Sequence, residues 1–140
     1  MALIHATCVA IAGVGVIIRG KPGAGKSDLA LRLIDDGAEL VADDSCETSV
    51  RANHVFVTAP ATIAGKMEVR GYGIVKLPAL EEAVAGLVVD LKPEADIERL
   101  PEIATCDIDG VALALLTVDA FSASAPAKVR LALRNMRLTP

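Results

Sequence analysis

An apolar run, "VGVIIR" at 14–19, passes directly into "GKPGAGKS" at 20–27 and then into "DLALRLIDDG" at 28–37. β-branched residues ahead of the glycines predict a buried strand, and Leu29, Leu33 and Ile34 recur at helical spacing behind them. Gly37 stands where such a helix would end. A strand that turns through glycines into an amphipathic helix commits the chain to an α/β arrangement, because the helix must lay its apolar face on a sheet. The spacing G-x-x-x-x-G-K-S also lets successive backbone N–H groups face phosphate oxygens, with the helix N-terminus adding partial positive charge. On this reading Gly20, Lys21, Pro22, Gly23, Ala24, Gly25, Lys26 and Ser27 hold the phosphates of a nucleotide. Lys26 would reach the β- and γ-phosphates, and the Ser27 hydroxyl would sit on Mg²⁺.

The rest of the chain bounds what can be built around that loop. Its 140 residues suit one domain, 1–140, with a real core. Hydrophobic residues make up 53% and aromatics 2%, so the core must be aliphatic. A formal net charge of −4 lacks the basic footprint of a nucleic-acid binder. Cys8, Cys46 and Cys106 are odd in number and widely spaced, which suits small core residues in a reducing cytoplasm better than a disulfide scaffold or a zinc site. The N-terminal "MALIHATCVAIAGVGVIIRG" has no basic flank and is too short and interrupted to span a membrane, so it is read as buried strands over 2–12 and 14–19.

Beyond the helix, "AELVADDS" reads as a short strand ending in two carboxylates. "HVFVTA", "KMEVRG" and "GIVKL" within 52–78 read as strands between Gly and Pro punctuation. Residues 79–85 suggest a short helix, and "GLVVDL" at 86–91 and "GVALALLTV" at 110–118 suggest buried strands. "APAKVRLALRNMRL" reads as an amphipathic helix carrying Lys128, Arg130, Arg134 and Arg137, a basic face that is either solvated or a docking surface. The fold expected is thus a single α/β domain, with a mixed β-sheet, flanking helices and the phosphate loop between a strand and a helix.

Several acids compete for the chemistry. Asp43 and Asp44 follow a strand, at its carboxyl end, where α/β sheets bind ligands; one could help hold a metal while the other takes a proton from an incoming hydroxyl. The alternative is an ordinary solvated turn. Asp90 follows four apolar residues, as the metal-binding acid of a Walker B strand does. Glu68 and Arg70 are two apart in a strand, forming either a site face or a solvated ion pair. His5, in an apolar strand, reads as a core residue or as a catalyst.

Taken in order, His5, "GVGVIIRGKPGAGKSDLALRLID", "LVADD", "MEVRGYGIV" and "LVVDL…ERL" resemble the catalytic domain of HPr kinase/phosphorylase, an enzyme acting on a serine of the phosphocarrier protein HPr. The resemblance runs from residue 5 to about 100, and "MEVRGYGIV" is its most specific block. It implies that Ser27 and Glu68 are the metal ligands, that Asp44 accepts the serine proton and returns it in the reverse reaction, and that Asp43 supports it. It further implies active-site roles for His5 and, through "ERL", for Arg99, and leaves Asp90 structural. ATP and Mg²⁺ are the implied cofactors and an HPr-like phosphocarrier the implied substrate. Assembly as a homo-oligomer, a hexamer by resemblance, is also implied, as is the short form comprising the catalytic domain alone.

The chain departs from the family's usual residues at Pro22, commonly serine, and at Asp28, commonly glutamate. A Pro-Gly-Arg-Asn type loop, associated in the family with dephosphorylation, has no match in "ALALLTVDAFSASAPAKVRLALR" at 112–134, so the kinase direction is the firmer expectation. Two other readings use the same loop. A small-molecule kinase would need a lid with arginines, and 79–126 offer only Arg99. A non-catalytic nucleotide-binding regulatory module would need the loop but not Asp44.

Overall fold

The computed structural model describes residues 1–136. Eleven strands and two α-helices follow one another as β1 (Ala2–Ile4), β2 (Thr7–Ile11), β3 (Val14–Arg19), α1 (Lys26–Asp35), β4 (Glu39–Ala42), β5 (Cys46–Arg51), β6 (His54–Thr58), β7 (Lys66–Val69), β8 (Gly73–Lys76), β9 (Glu82–Leu91), β10 (Ala104–Ile108), β11 (Val111–Val118) and α2 (Ala125–Met136). Nine of the strands form one mixed sheet in the order β1-β5-β6-β9-β3-β2-β4, with β11 on β9 and β10 on β11; β7 and β8 form a separate hairpin.

Strand β9 organises the sheet. It runs parallel to β3 along nearly its whole length, from Val14↔Val84 to Arg19↔Asp90. Its first residues pair antiparallel with β6 (Phe56↔Val84), and its last five pair parallel with β11 (Ala114↔Leu87 to Val118↔Leu91). This corrects the helix expected over 79–85: residues from Glu82 onward are strand. Ala83 and Ala85 are buried while Glu82 and Val84 face solvent, a period of two that the helix-favouring Ala and Glu content conceals. Strands β5 and β10, to which no element was assigned from sequence, complete the two wings, and β11 is mostly half-buried rather than a core strand.

Both faces of the central strands are covered, which is why they read as unbroken apolar runs. Val16, Ile18, Leu87 and Val89 meet Leu29 and Leu33 of α1 and Val129 and Leu133 of α2 on one face. Ile17 and Val88 point the other way, into a cluster with Val55, Val57, Ile108 and Val111, so the sheet curls to enclose its own second core. Helix α1 ends as expected: Gly37 takes φ 109°, its N–H bonds to Ile34 O at 2.9 Å and the Ala38 N–H to Leu33 O at 3.0 Å, a Schellman closure that a left-handed glycine makes without strain.

In α2, Ala125, Val129, Ala132 and Leu133 form the buried stripe, whereas Leu131 is exposed. Arg130 pairs with Asp36 at the end of α1, at 2.9 Å, while Lys128 and Arg134 face solvent. Arg137 lies outside the described residues. Among the described residues no helix is long and apolar enough to cross a membrane.

Candidate active site

The carboxyl ends of β3, β4 and β9 converge around residues 20–27. Gly25 caps α1 from the left-handed region, φ 100°, and accepts the Leu29 N–H at 2.9 Å. A side chain there would also collide with the next element, since a Cβ would stand 2.8 Å from the Ala120 Cβ and 3.2 Å from the Phe121 ring. Conformation and space both demand glycine. Lys26 folds back over the loop and donates to Gly20 O at 2.8 Å and Lys21 O at 3.4 Å. Its ammonium is thus held at the mouth of the loop, above the first turn of α1.

Ser27, on that first turn, donates to Asp43 Oδ1 at 2.6 Å. Asp43 is 9% exposed and also accepts from the Thr7 hydroxyl at 3.2 Å and, at 3.4 Å, from the Glu68 N–H. Among the described residues no Lys, Arg or His forms an ion pair with it. A buried carboxylate answered only by dipoles leaves unbalanced negative charge, which a cation would neutralise.

Thr7 does double duty. Its oxygen accepts the Asp44 N–H at 3.1 Å while its hydroxyl serves Asp43. Asp44 lies at φ 66°, a strained setting for a non-glycine residue, and its side chain is exposed rather than turned inward with Asp43. The two neighbouring acids therefore separate: Asp43 is tied beneath Ser27, and Asp44 borders open space. That space is a cavity of about 420 Å³ lined by Lys26, Ser27, Asp44, Glu68, Arg70 and Phe121, among others. The β7–β8 hairpin forms its wall, held to the core by Met67, which is 1% exposed, so that Glu68 on the opposite strand face is presented outward.

The remaining expected residues fall elsewhere. His5 is exposed at the bend between β1 and β2, two residues before Thr7, so it is not a core residue, and it is absent from the lining of this cleft. Arg99 is exposed in the connection after β9 and is likewise absent from the lining. Asp90 is engaged by Arg19 through two bonds, of 2.7 and 3.0 Å. That hydrogen-bonded pairing raises the Arg19 pKa above its usual range.

Cys8 and Cys46 are buried and Cys106 half-buried. Burial first, then the nearby Asp43 and Asp44, pushes the Cys46 thiol up to about 12, so it is no nucleophile at neutral pH.

Three residues were missed from sequence. Thr7 was hidden in an apolar strand, where a hydroxyl signals nothing without its partners 36 and 37 residues away. Arg32, on α1, pairs with Asp28 at 3.0 Å and donates to the carbonyls of Ala120 and Ser122. Phe121, in the "DAFS" turn those carbonyls belong to, borders the cleft.

Fold and site together define a mixed α/β domain in which one cleft joins a glycine loop to the carboxylates of Asp44 and Glu68. The chain belongs to the HPr serine kinase C-terminal domain family, whose model matches residues 1–118. It is 41% identical over 108 residues to an HPr kinase/phosphorylase of Geobacillus kaustophilus, covering 69% of this chain and 35% of that protein. An HPr kinase/phosphorylase of Limosilactobacillus reuteri is 36% identical over 127 residues, covering 82% and 40%. The chain thus spans between a third and two fifths of the length of these relatives. The solved structure of the Hpr(Ser) kinase/phosphatase from Coxiella burnetii superimposes with a TM-score of 0.87 at 26% identity, over 99% of this chain and 97% of that one.

Proposed function

We propose that the chain is an ATP-dependent protein-serine kinase that phosphorylates an HPr-like phosphocarrier protein. The observation that carries the reading is the division between Asp43, bonded to Ser27 at 2.6 Å beneath the loop, and Asp44, exposed on the cleft beside it. Family membership supports the same reading.

In this reading the backbone of 20–27 holds the nucleotide phosphates and Lys26 swings from its carbonyl contacts to the β- and γ-oxygens. Ser27 and Glu68 hold Mg²⁺, with Asp43 orienting the Ser27 oxygen; such hard oxygen donors and few protein carboxylates are what this ion takes beside phosphates. When bound, the ion supplies neutralisation of the phosphate charge. Asp44 accepts the proton of the incoming serine hydroxyl, whose oxygen attacks the γ-phosphorus as the bond to the β-phosphate oxygen breaks and ADP leaves. A serine is a poor nucleophile, so the open carboxylate is needed to orient it. Arg70 flanks the cleft as a stabilising charge. We assign no step to His5 or Arg99.

A single catalytic domain over 1–140, a cytoplasmic location and assembly into a homo-oligomer belong to this proposal. The reverse phosphorylase reaction is its open arm. The test is incubation of the protein with a purified HPr-type carrier, ATP and Mg²⁺, followed by mass-spectrometric mapping. Phosphate on one carrier serine is the expected result; label on a small metabolite instead would defeat the reading. Incubating the phosphorylated carrier with inorganic phosphate then reads the reverse direction.

A further inference from the structure

We propose that Phe121 and the turn carrying it form the platform against which the nucleobase of the bound nucleotide packs. The inference rests on the phosphate-loop reading and extends it to the other end of the ligand.

The glycine loop has a cavity on each side. One is the acid-lined cleft already described. The other, about 770 Å³, lies between the loop and the ends of β9 and β11, where Lys21, Leu91, Pro93, Asp96 and Phe121 contribute to its wall. With the phosphates seated on the loop and the acceptor entering beside Asp44, the nucleoside is left this second, larger space. Apolar Leu91, Pro93 and Phe121 stand in its wall beside Lys21, Lys92 and Asp96, and its two other acids are already engaged. Asp90 is neutralised by Arg19, and both oxygens of Asp119 accept backbone N–H groups, from Phe121 at 2.9 Å and from Glu94 at 3.1 Å. Pockets for small molecules combine apolar walls with a few polar groups at the rim.

Phe121 borders both cavities, and its side chain is 68% exposed in a chain with two phenylalanines, one tyrosine and no tryptophan. A lone exposed aromatic is ordinary, but this one is held from three directions. Asp119 fixes its N–H, Arg32 of α1 grips the carbonyls on either side of it, and Gly25 packs against its ring edge. The effect is an aromatic face whose position relative to the phosphate loop is set before any ligand arrives, which lowers the ordering cost of stacking.

Two variants and two ligands test this. Phe121→Ala should weaken binding of Mg²⁺–ATP by about tenfold, the scale of one lost base–aromatic stack, while leaving the affinity for inorganic tripolyphosphate unchanged. Phe121→Trp introduces a sole tryptophan, whose fluorescence ATP should quench and tripolyphosphate should not. Equal weakening of both ligands in Phe121→Ala would mean that the ring only shapes the loop, and would overturn the platform. So would ATP binding unaffected by Phe121→Ala together with a silent Phe121→Trp probe. If the unaltered chain bound no tripolyphosphate, the phosphate-loop reading itself would fall and take the platform with it.

Discussion

Ser27 Oγ and Asp43 Oδ1, sixteen residues apart in sequence, meet at 2.6 Å under the glycine loop. The bond joins the first turn of α1 to the end of β4 and leaves the next acid, Asp44, bordering the cleft. Two adjacent aspartates of the same chemistry thereby receive different surroundings, one tied to a hydroxyl and one exposed on the cleft.

That division predicts a split in kinetics. Asp44→Asn keeps the volume but removes the base, so turnover on a carrier serine should fall at least about 100-fold. Nucleotide affinity, measured by calorimetry, should stay within about twofold, since the residue lies beyond the glycine loop. Equal losses in both measurements would place Asp44 in nucleotide binding instead.

Glu68→Gln tests the ion. With the carboxylate gone, the Mg²⁺ concentration giving half-maximal turnover should rise by about tenfold or more, whereas nucleotide binding measured without metal should hold. If both change equally, Glu68 is not a metal ligand.

Thr7→Val probes the scaffold beneath the pair. The change is nearly isosteric at a fully buried site, but it deletes the donor to Asp43 and the acceptor for the Asp44 N–H. Leaving buried polar groups unpaired costs about 1–3 kcal/mol, readable from the urea midpoint. Turnover should fall with it, because Asp44 loses the bond that supports its left-handed backbone.

The cysteines predict an alkaline limit. The Cys46 thiol is raised in the folded chain from its ordinary 9.0 to about 12. Below pH 9 folded and unfolded chains both keep the proton and the group adds no pH dependence. Between about 9 and about 12 only the unfolded chain releases it, so stability should fall as pH rises through that window. Cys46→Ala should flatten the decline in urea midpoints measured from pH 8 to 10.5. Cys8, also raised by burial, keeps part of the slope. Native alkylation should reach half-buried Cys106 first.

Local physics made part of this molecule legible in the linear chain. The passage from "VGVIIR" through "GKPGAGKS" into α1 needs only neighbours a few residues away: periodicity, a left-handed glycine and a helix terminus. Asp43 and Asp44 could be picked out as a pair because they end a strand, and Glu68 because it sits in "MEVRGYGIV". Their separation into a tied and an open acid could not be read that way. It depends on Ser27 and on Thr7, a residue with no local signal, and so on how β2 and β4 are brought side by side.

Residues 79–85 show the converse. Ala and Glu there favour a helix in isolation, but pairing with β3 and β6 satisfies the backbone and buries Ala83 and Ala85. His5 and Arg99 were picked out through the family resemblance; both are exposed and neither is in the lining of the two cavities, a relation to the cleft that no local pattern in the sequence encodes. The shape of the glycine loop was determined by the chain's own order of residues, since its hydrogen bonds and conformations are local. Which acid faces the cleft, and that an aromatic turn is strapped beside the loop, were decided by tertiary structure, because each is a relation between segments that only the closed sheet brings into contact.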